Sequence, residues 1–467
     1  MSSQTPTTSH SGPVTLEEFG YTQELKRGLR PWQMAIFGLV FMIPIAPFGI
    51  YGQLAQASNN MVPLVYFIGM VAMIFTALSY GRMARAFPIS GSVYAYASRG
   101  INKHVGFMTG WAILLDYILM PTLIYVVCGV SMNLIIPQIP ALGWALIFLV
   151  IVTAFNTFGI EASSALSIIA LVFELVVYVV FVIFALIAIS HGTEGAVFTP
   201  DPIFNAHNFH IAMVMNGVSI AVLSFLGFDA ISTLAEETKG GNKSVGRATI
   251  GALLILGVLF IFLTWVAGCL WPGMFSDQNI DIAFNLIAQR AGGTWLMNLC
   301  AVGTALSWGF AGLTAQVAVS RVLFSMSRDG NFPKFFSKVH KRFKTPYVAT
   351  WFIAGLSVIM CIVFQNLINT LTTLVNFGAL TSFFVLNFTV FWHYFVKRDK
   401  SLDPTEDRTK LVLKYVVLPV IGMLIILAVW ISLGWDAKIL GVCWLVIGLA
   451  YYLILTKVMH KSAKMDI

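Results

Sequence analysis

Charge is what this sequence has least of. Only 10% of its 467 residues are Asp, Glu, Lys or Arg, against about 25% in an ordinary soluble protein. With 58% hydrophobic residues and a mean hydropathy of +0.84, a chain of this length cannot hide its apolar surface from water. That excludes a soluble enzyme, a nucleic-acid binder and a disordered scaffold. Cysteine is scarce too. Cys128, Cys269, Cys300, Cys361 and Cys443 lie singly within apolar stretches, which argues against a disulfide framework or a zinc site. The histidines fall in loops, tails or at the ends of apolar stretches, and no two have metal spacing on one helix. No metal or other cofactor is called for. The N-terminus lacks a basic region followed by an apolar core, so no cleaved signal peptide is expected, and the first span serves as its own insertion signal.

What the sequence has instead is apolar runs of membrane-spanning length, about 20 residues each. After a Ser/Thr/Pro-rich tail (1–31), twelve segments are read at approximately 32–56, 62–82, 105–134, 142–158, 164–190, 211–235, 248–271, 294–326, 347–364, 367–396, 415–434 and 438–456. A short tail (457–467) closes the chain. Taking both termini as cytoplasmic puts 26 of the 28 Lys and Arg on the cytoplasmic side, leaving only Arg290 and Lys438 outside. This is the positive-inside pattern, and adding or removing one span destroys it. The net charge of +8 therefore reflects orientation rather than an anionic partner. The expectation is an all-α, multi-pass protein of the inner (plasma) membrane, with no soluble domain.

With no soluble domain, a functional site must lie among the helices, where breaks and buried polar groups mark it. Segment 1 carries Met42-Ile-Pro-Ile-Ala-Pro-Phe-Gly-Ile-Tyr-Gly52. Pro44 and Pro47 remove backbone donors and clash with the preceding turn, so a regular helix fails there. Segment 6 carries Ser224-Phe-Leu-Gly-Phe-Asp-Ala230 at the matching place. Each of these segments begins a block of five. Interrupted helices at corresponding positions of two halves point to a transporter built of inverted repeats, here 32–190 and 211–396, followed by two further helices (415–456). Half-helix N-termini offer amides to an anionic group, and C-terminal ends offer carbonyls to a cation. A plain proline kink satisfied by neighbouring helices is the alternative.

Three carboxylates lie within spans: Asp116, Glu174 and Asp229. Facing lipid they would be costly, so each is expected to face the bundle interior. A buried carboxyl without a cation favours its protonated form, as a proton-coupling or amine-binding site needs. A neutral carboxyl hydrogen-bonded to a helix break is the competing reading for each.

Three ordered motifs then resemble a known family. PISGSVYAYASRGINKHVGFMTGW (88–111), FLGFDAISTLAEETKGGNKSVGRA (225–248) and SRVLFSMSRDGNFP (320–333) are similar to signatures of the amino acid–polyamine–organocation transporters, and the likeness runs over about 24–460. Within that superfamily, LSYGRMARAFPISGSVYAYA, HVGFMTGW followed by LLDY, and VNFGAL (375–380) look most like bacterial putrescine importers. The resemblance implies ten core helices in two inverted five-helix repeats plus two more, with helices 1 and 6 interrupted. It also implies alternating access and usually proton coupling.

The resemblance further implies a substrate held between Ile45, Ala46, Pro47, Phe48 and Gly49 on one side and Ser224, Phe225, Gly227 and Phe228 on the other. Tyr117 would line the site, and Asp116 beside it is a candidate for a substrate ammonium. Two positions depart from the family pattern. Gly49 stands where putrescine importers carry an aspartate, and Glu174 stands where many amino-acid members carry a lysine that replaces a coupling sodium. Glu174, with Asp229, is therefore the candidate proton-coupling group.

The expected function is a secondary active importer of a small amine-bearing solute, coupled to protons, with a uniporter or exchanger as the alternative. A polytopic enzyme would need a nucleophile–base set or metal cluster, and a channel a repeated selectivity ring. Neither is visible in the sequence.

Overall fold

The computed structural model describes residues 30–458 apart from 88, 90, 91, 159, 238–242, 344 and 398–407. Among the described residues the chain forms helices and no strand. This follows from the environment: in hydrocarbon each backbone amide and carbonyl must be satisfied within its own segment.

Each apolar segment becomes a helix or a helix pair. The first half comprises α1 (Pro31–Met42), α2 (Pro47–Ser58), α3 (Val62–Ala86), α4 (Ser92–Gly100), α5 (Lys103–Ile135), α6 (Ala141–Phe158) and α7 (Ile160–Ser190). The second half comprises α8 (Ile211–Ala221), α9 (Lys243–Leu270), α10 (Ala283–Gly292), α11 (Thr294–Arg328), α12 (Tyr347–Phe364) and α13 (Ile368–Phe391). Then come α14 (Arg408–Val412), α15 (Leu418–Ile431) and α16 (Trp435–Leu453). Ten helical stretches are long and apolar enough to cross a membrane. An eleventh candidate is the α1–α2 pair, bent by 53°, and the helix at Ala141–Thr157 is apolar but shorter.

Local chemistry sets the boundaries. Pro31, Pro47 and Pro63 stand at or beside first helical positions, where a missing N–H costs nothing. The Asn102 side chain accepts from the Val105 amide at 2.9 Å and caps α5, satisfying one orphan donor of the first turn.

The centre of the bundle is α5, whose apolar window is 89% buried, whereas that of α16 is 22% buried and sits at the rim. Packing joins α2 to α8, α3 to α9, α5 to α11 and α6 to α12. These are segments 1 and 6, 2 and 7, 3 and 8, and 4 and 9. Four pairs of segments five places apart in the chain thus lie side by side. Two short helices flank this core from opposite ends: α4 follows segment 2, and α10 precedes segment 8.

Candidate functional site

The two interrupted helices meet. In segment 1 the chain leaves α1 through Ile43, whose φ of +52° is an outlier for a β-branched residue. The Ile43 amide donates to Val40 O at 3.3 Å and the Ala46 amide to Ile43 O at 2.8 Å, forming a tight turn around Pro44 before α2 begins at Pro47. Holding that conformation costs about 1–3 kcal/mol, and close packing maintains it, since Ile43, Ile45, Ala46 and Phe48 are all buried. In segment 6, α8 ends at Ala221, a 3₁₀ turn spans Val222–Phe225, and Leu226 is extended. Gly227 follows with φ +115°, and 3₁₀ turns resume over Asp229–Glu237. A Cβ on Gly227 would lie 2.1 Å from the Phe41 ring. Glycine is required here twice over, for its φ and for the approach of Phe41.

Between the breaks lies a cavity lined by Phe41, Ala46, Met120, Leu223, Ser224 and Trp308, with Met42, Ile43 and Ile124 completing the wall. Its volume is about 10 Å³, room for roughly one water. Gly49 belongs to this wall by proximity: a Cβ there would meet Trp308 at 2.8 Å and Val127 at 3.1 Å.

On the α4 side, beyond the residues that line the cavity, lies a polar layer, here called the floor. Tyr117, one helical turn from Met120, donates its hydroxyl hydrogen to Asp229 Oδ2 at 2.5 Å, while the Gly227 amide donates to Asp229 Oδ1 at 3.1 Å. The Tyr80 and Ser92 hydroxyls are 3.1 Å apart, and Ser92 Oγ lies 3.5 Å from the Tyr117 hydroxyl. All these residues are buried. Asp116 is 1% exposed and within electrostatic reach of Asp229, yet neither of its carboxyl oxygens has a hydrogen-bond partner among the described residues.

On the α10 side, also beyond the lining residues, lies an aromatic and polar layer, here called the roof. Phe48 stacks on Phe284 of α10 with centroids 3.9 Å apart and meets Phe181 of α7 at 5.6 Å. Gln53 Nε2 donates to Asp281 Oδ1 at 2.6 Å, and Gln56 Nε2 to Asp277 Oδ1 at 3.0 Å. These bonds tie α2 to the 3₁₀ turn Asp277–Ile282 ahead of α10. Partial desolvation raises the Asp281 carboxyl above the ordinary aspartate value, and the Gln53 bond offsets part of that rise.

Glu174 is fully buried on α7, and its oxygens have no hydrogen-bond partner among the described residues. The Ser307 hydroxyl of α11 lies beside it, without closing a hydrogen bond. Phe181, two turns along the same face, touches Phe48, and α7 packs on α1 and α11. Glu174 therefore sits on the face of α7 that looks toward the segment 1 break.

The residues singled out from sequence thus separate into groups. Ala46 and Ser224 line the cavity, with Ile45, Pro47 and Gly49 adjoining in the segment 1 break. Phe48 belongs to the roof. Tyr117 and Asp229 form the floor, joined to each other, with Asp116 beside them. Phe225 and Phe228 turn away from the cavity. Phe225 meets Tyr66 at 6.0 Å and Phe260 at 5.5 Å, and Phe228 meets Tyr80 at 5.6 Å and Phe383 at 5.4 Å. Phe41, Met120, Leu223, Trp308, Tyr80 and Ser92 were not picked out from the sequence. Only Trp308 carries a local signal, a large indole set among Gly303, Gly309 and Gly312. Phe41, Met120 and Leu223 read as ordinary apolar residues of spans.

Two broken helices meeting over a buried cavity suit a carrier, and the profile of the amino acid permease family matches residues 33–459. This chain belongs to that family, within the amino acid–polyamine–organocation superfamily. It is a transport protein of the membrane and not an enzyme. Among its relatives is the low-affinity putrescine importer PlaP of Escherichia coli (strain K12), 30% identical over 437 residues, covering 93% of this chain and 94% of that one. A branched-chain amino acid permease of Bacillus subtilis is 26% identical over 470 residues, covering 95% of each. A methylthioribose transporter of the same organism is 25% identical over 460 residues, covering 94% and 95%.

Proposed function

We propose that this permease imports a small amine-bearing solute, an amino acid or a di- or polyamine, by alternating access coupled to protons, with both termini cytoplasmic. The observation that carries the reading is the small cavity at the meeting point of the two broken helices. With room for about one water, it admits a solute only if helices move. It lies between two layers built from different elements, the Phe48–Phe284 stack with the glutamine–aspartate bonds on one side and the Tyr117–Asp229 floor on the other. Releasing roof and floor in turn is alternating access.

The ammonium group of the solute would sit at the C-terminal end of α1, where carbonyls face the break, with Asp116 and the Tyr117 hydroxyl below. Ala46 and Ser224 supply walls, with Ile45, Pro47 and Gly49 adjoining, while Phe225 and Phe228 pack behind the segment 6 break. Two of the three relatives are named for putrescine and for branched-chain amino acids, and both kinds of solute carry an amine.

Glu174 is the proposed coupling group. A buried carboxyl with only the Ser307 hydroxyl beside it and no cation among the described residues is costly when ionised and tolerated when neutral, so loading and unloading its proton biases the α1 half of the broken helix. Asp229 is the second candidate, although the Tyr117 and Gly227 bonds give it a structural task as well.

The test begins with a thermal-shift screen of purified protein against amino acids, amines and polyamines, because a bound solute stabilises the folded state. The solute found is then followed into proteoliposomes under an imposed pH gradient. Uphill accumulation that a protonophore abolishes is expected, and Glu174→Gln should keep exchange while losing pH-dependent accumulation. Accumulation by Glu174→Gln with wild-type pH dependence would move the proton to Asp229. Exchange without uphill uptake in the wild type would make the protein an exchanger or uniporter.

A further inference from the structure

Two of the three motifs that carry the family likeness meet in the structure, away from the residues that line the cavity. Tyr94 belongs to the first motif and lies on α4, while Asp329 and Asn331 belong to the third and follow α11. All three are buried. The Tyr94 hydroxyl donates its hydrogen to Asp329 Oδ2 at 2.6 Å and accepts from Asn331 Nδ2 at 2.7 Å. One hydroxyl thus joins α4 to the end of segment 8, 235 positions away in the chain.

A helix from outside the two five-segment blocks completes this junction. Tyr451, in the last turn of α16, donates its hydroxyl hydrogen to Asn331 O at 3.1 Å. Trp111 of α5 and Trp444 of α16 exchange bonds, each Nε1 donating to the other's carbonyl at 2.8 Å, with the rings stacked at 4.8 Å. A reciprocal pair of this kind fixes two helices in both rotation and height. The backbones come close enough for it because of glycine: a Cβ on Gly448 would lie 2.3 Å from the Trp111 ring, and one on Gly110 would lie 2.7 Å from the Tyr94 ring. The apolar window of α16 is only 22% buried, yet its inward side is bound to α5 and to the loop after segment 8.

The element that links this junction to the cavity is α4. Its first residue, Ser92, belongs to the floor, and Tyr94 stands two residues further on. The rest of α4 packs on α5, on α13 and on the 3₁₀ turns that begin at Asp229. Moving α4 aside to open the floor therefore breaks the Tyr94 bonds as well.

We propose that Tyr94 and Tyr451 are positioning residues for transport: with Asp329 and Asn331 they form a second latch, beyond the floor, that holds α4 in place until a solute leaves on that side. In this arrangement α16 is the fixed post, and Asn331 receives α16 through its carbonyl and reaches α4 through its amide. The proposal rests on the alternating-access reading above, and its test separates the two.

The experiment follows Ala46→Cys, a reporter in the cavity wall, in the full-length protein without native cysteines. Membrane vesicles of either orientation are treated with an impermeant thiol reagent, so that the cavity is probed from one side at a time. Tyr451→Phe removes one hydrogen bond between helices and should speed labelling from the α4 side about threefold, the average effect of one such bond in a membrane. Tyr94→Phe removes two and should speed it up to about tenfold. Labelling from the α10 side should fall in both variants, since a population drawn to one open state leaves the other. Unchanged labelling from the α4 side would overturn the latch, and so would faster labelling from both sides, which marks general loosening. Faster labelling from the α4 side with an unchanged rate from the α10 side would keep the latch and refute alternating access instead. If Tyr94→Phe does not fold, Tyr451→Phe decides alone by the same criteria.

Discussion

Removing one oxygen, in Tyr117→Phe, tests whether the floor of the cavity is a gate. In the wild type the Tyr117 hydroxyl reaches Asp229 at 2.5 Å, and both side chains are buried. The variant keeps the ring and its packing and leaves Asp229 Oδ2 without that donor. Hydrogen bonds between membrane helices average about 0.6 kcal/mol and reach about 1.7. The Tyr117–Asp229 bond is taken near the top of that range, because both partners are buried and no water replaces a lost donor. A loss of about 1.5 kcal/mol from the closed state alone shifts the closed-to-open ratio roughly tenfold.

The floor should then open more often on the α4 side. In a background without native cysteines, a Ser92→Cys reporter should react with a thiol reagent added from that side about tenfold faster in Tyr117→Phe, as a larger open fraction predicts. Uptake should fall in the same variant. Equal labelling and unchanged uptake would mean that the bond persists through the cycle and gates nothing.

Gly227→Leu should insert normally and lose uptake, because leucine cannot hold φ +115° and its Cβ would enter the Phe41 ring; membrane fractionation with an uptake assay checks both, and normal uptake would move the solute site elsewhere. Asp116→Asn should weaken binding of amine solutes by about tenfold, roughly 1.4 kcal/mol, in a titration followed by thermal shift, and unchanged affinity would reduce Asp116 to a structural carboxyl. The roof should respond to pH through Asp281. Its carboxyl is raised where α2 packs on the Asp277–Ile282 turn, so that packing is favoured in acid and weakens as pH rises through the raised value. The Asp281 side chain is partly solvated, which keeps the effect small. Hydrogen exchange over 277–292 should therefore speed up with pH beyond its intrinsic rate in the wild type and lose that extra dependence in Asp281→Asn.

Much of this protein was decided by the sequence alone, and the bilayer is the reason. Without water in the hydrocarbon region, apolar runs of sufficient length become helices whatever their neighbours do, so the all-helical architecture follows, with ten described stretches long and apolar enough to span and the bent α1–α2 pair as an eleventh candidate. The breaks were legible for a related reason. Pro44 and Pro47 disrupt segment 1 by local sterics, and Gly227 permits a φ that other residues avoid, so the interruptions fall where the residues put them.

The contacts across the breaks are a different matter. Nothing along the chain says that Phe41 should close on Gly227, that Tyr117 should reach Asp229, or that Phe225 should turn toward Tyr66 and Phe260. These contacts join residues far apart in sequence, and in a uniformly apolar segment the hydrophobic pattern does not mark which face looks inward. Asp116, Glu174 and Asp229 show both halves of this. Their charge said that they must be buried, and only the packing of α5, α7 and the segment 6 break decided that Asp229 is held by two donors while, among the described residues, Asp116 has no hydrogen-bond partner and Glu174 has only the Ser307 hydroxyl beside it.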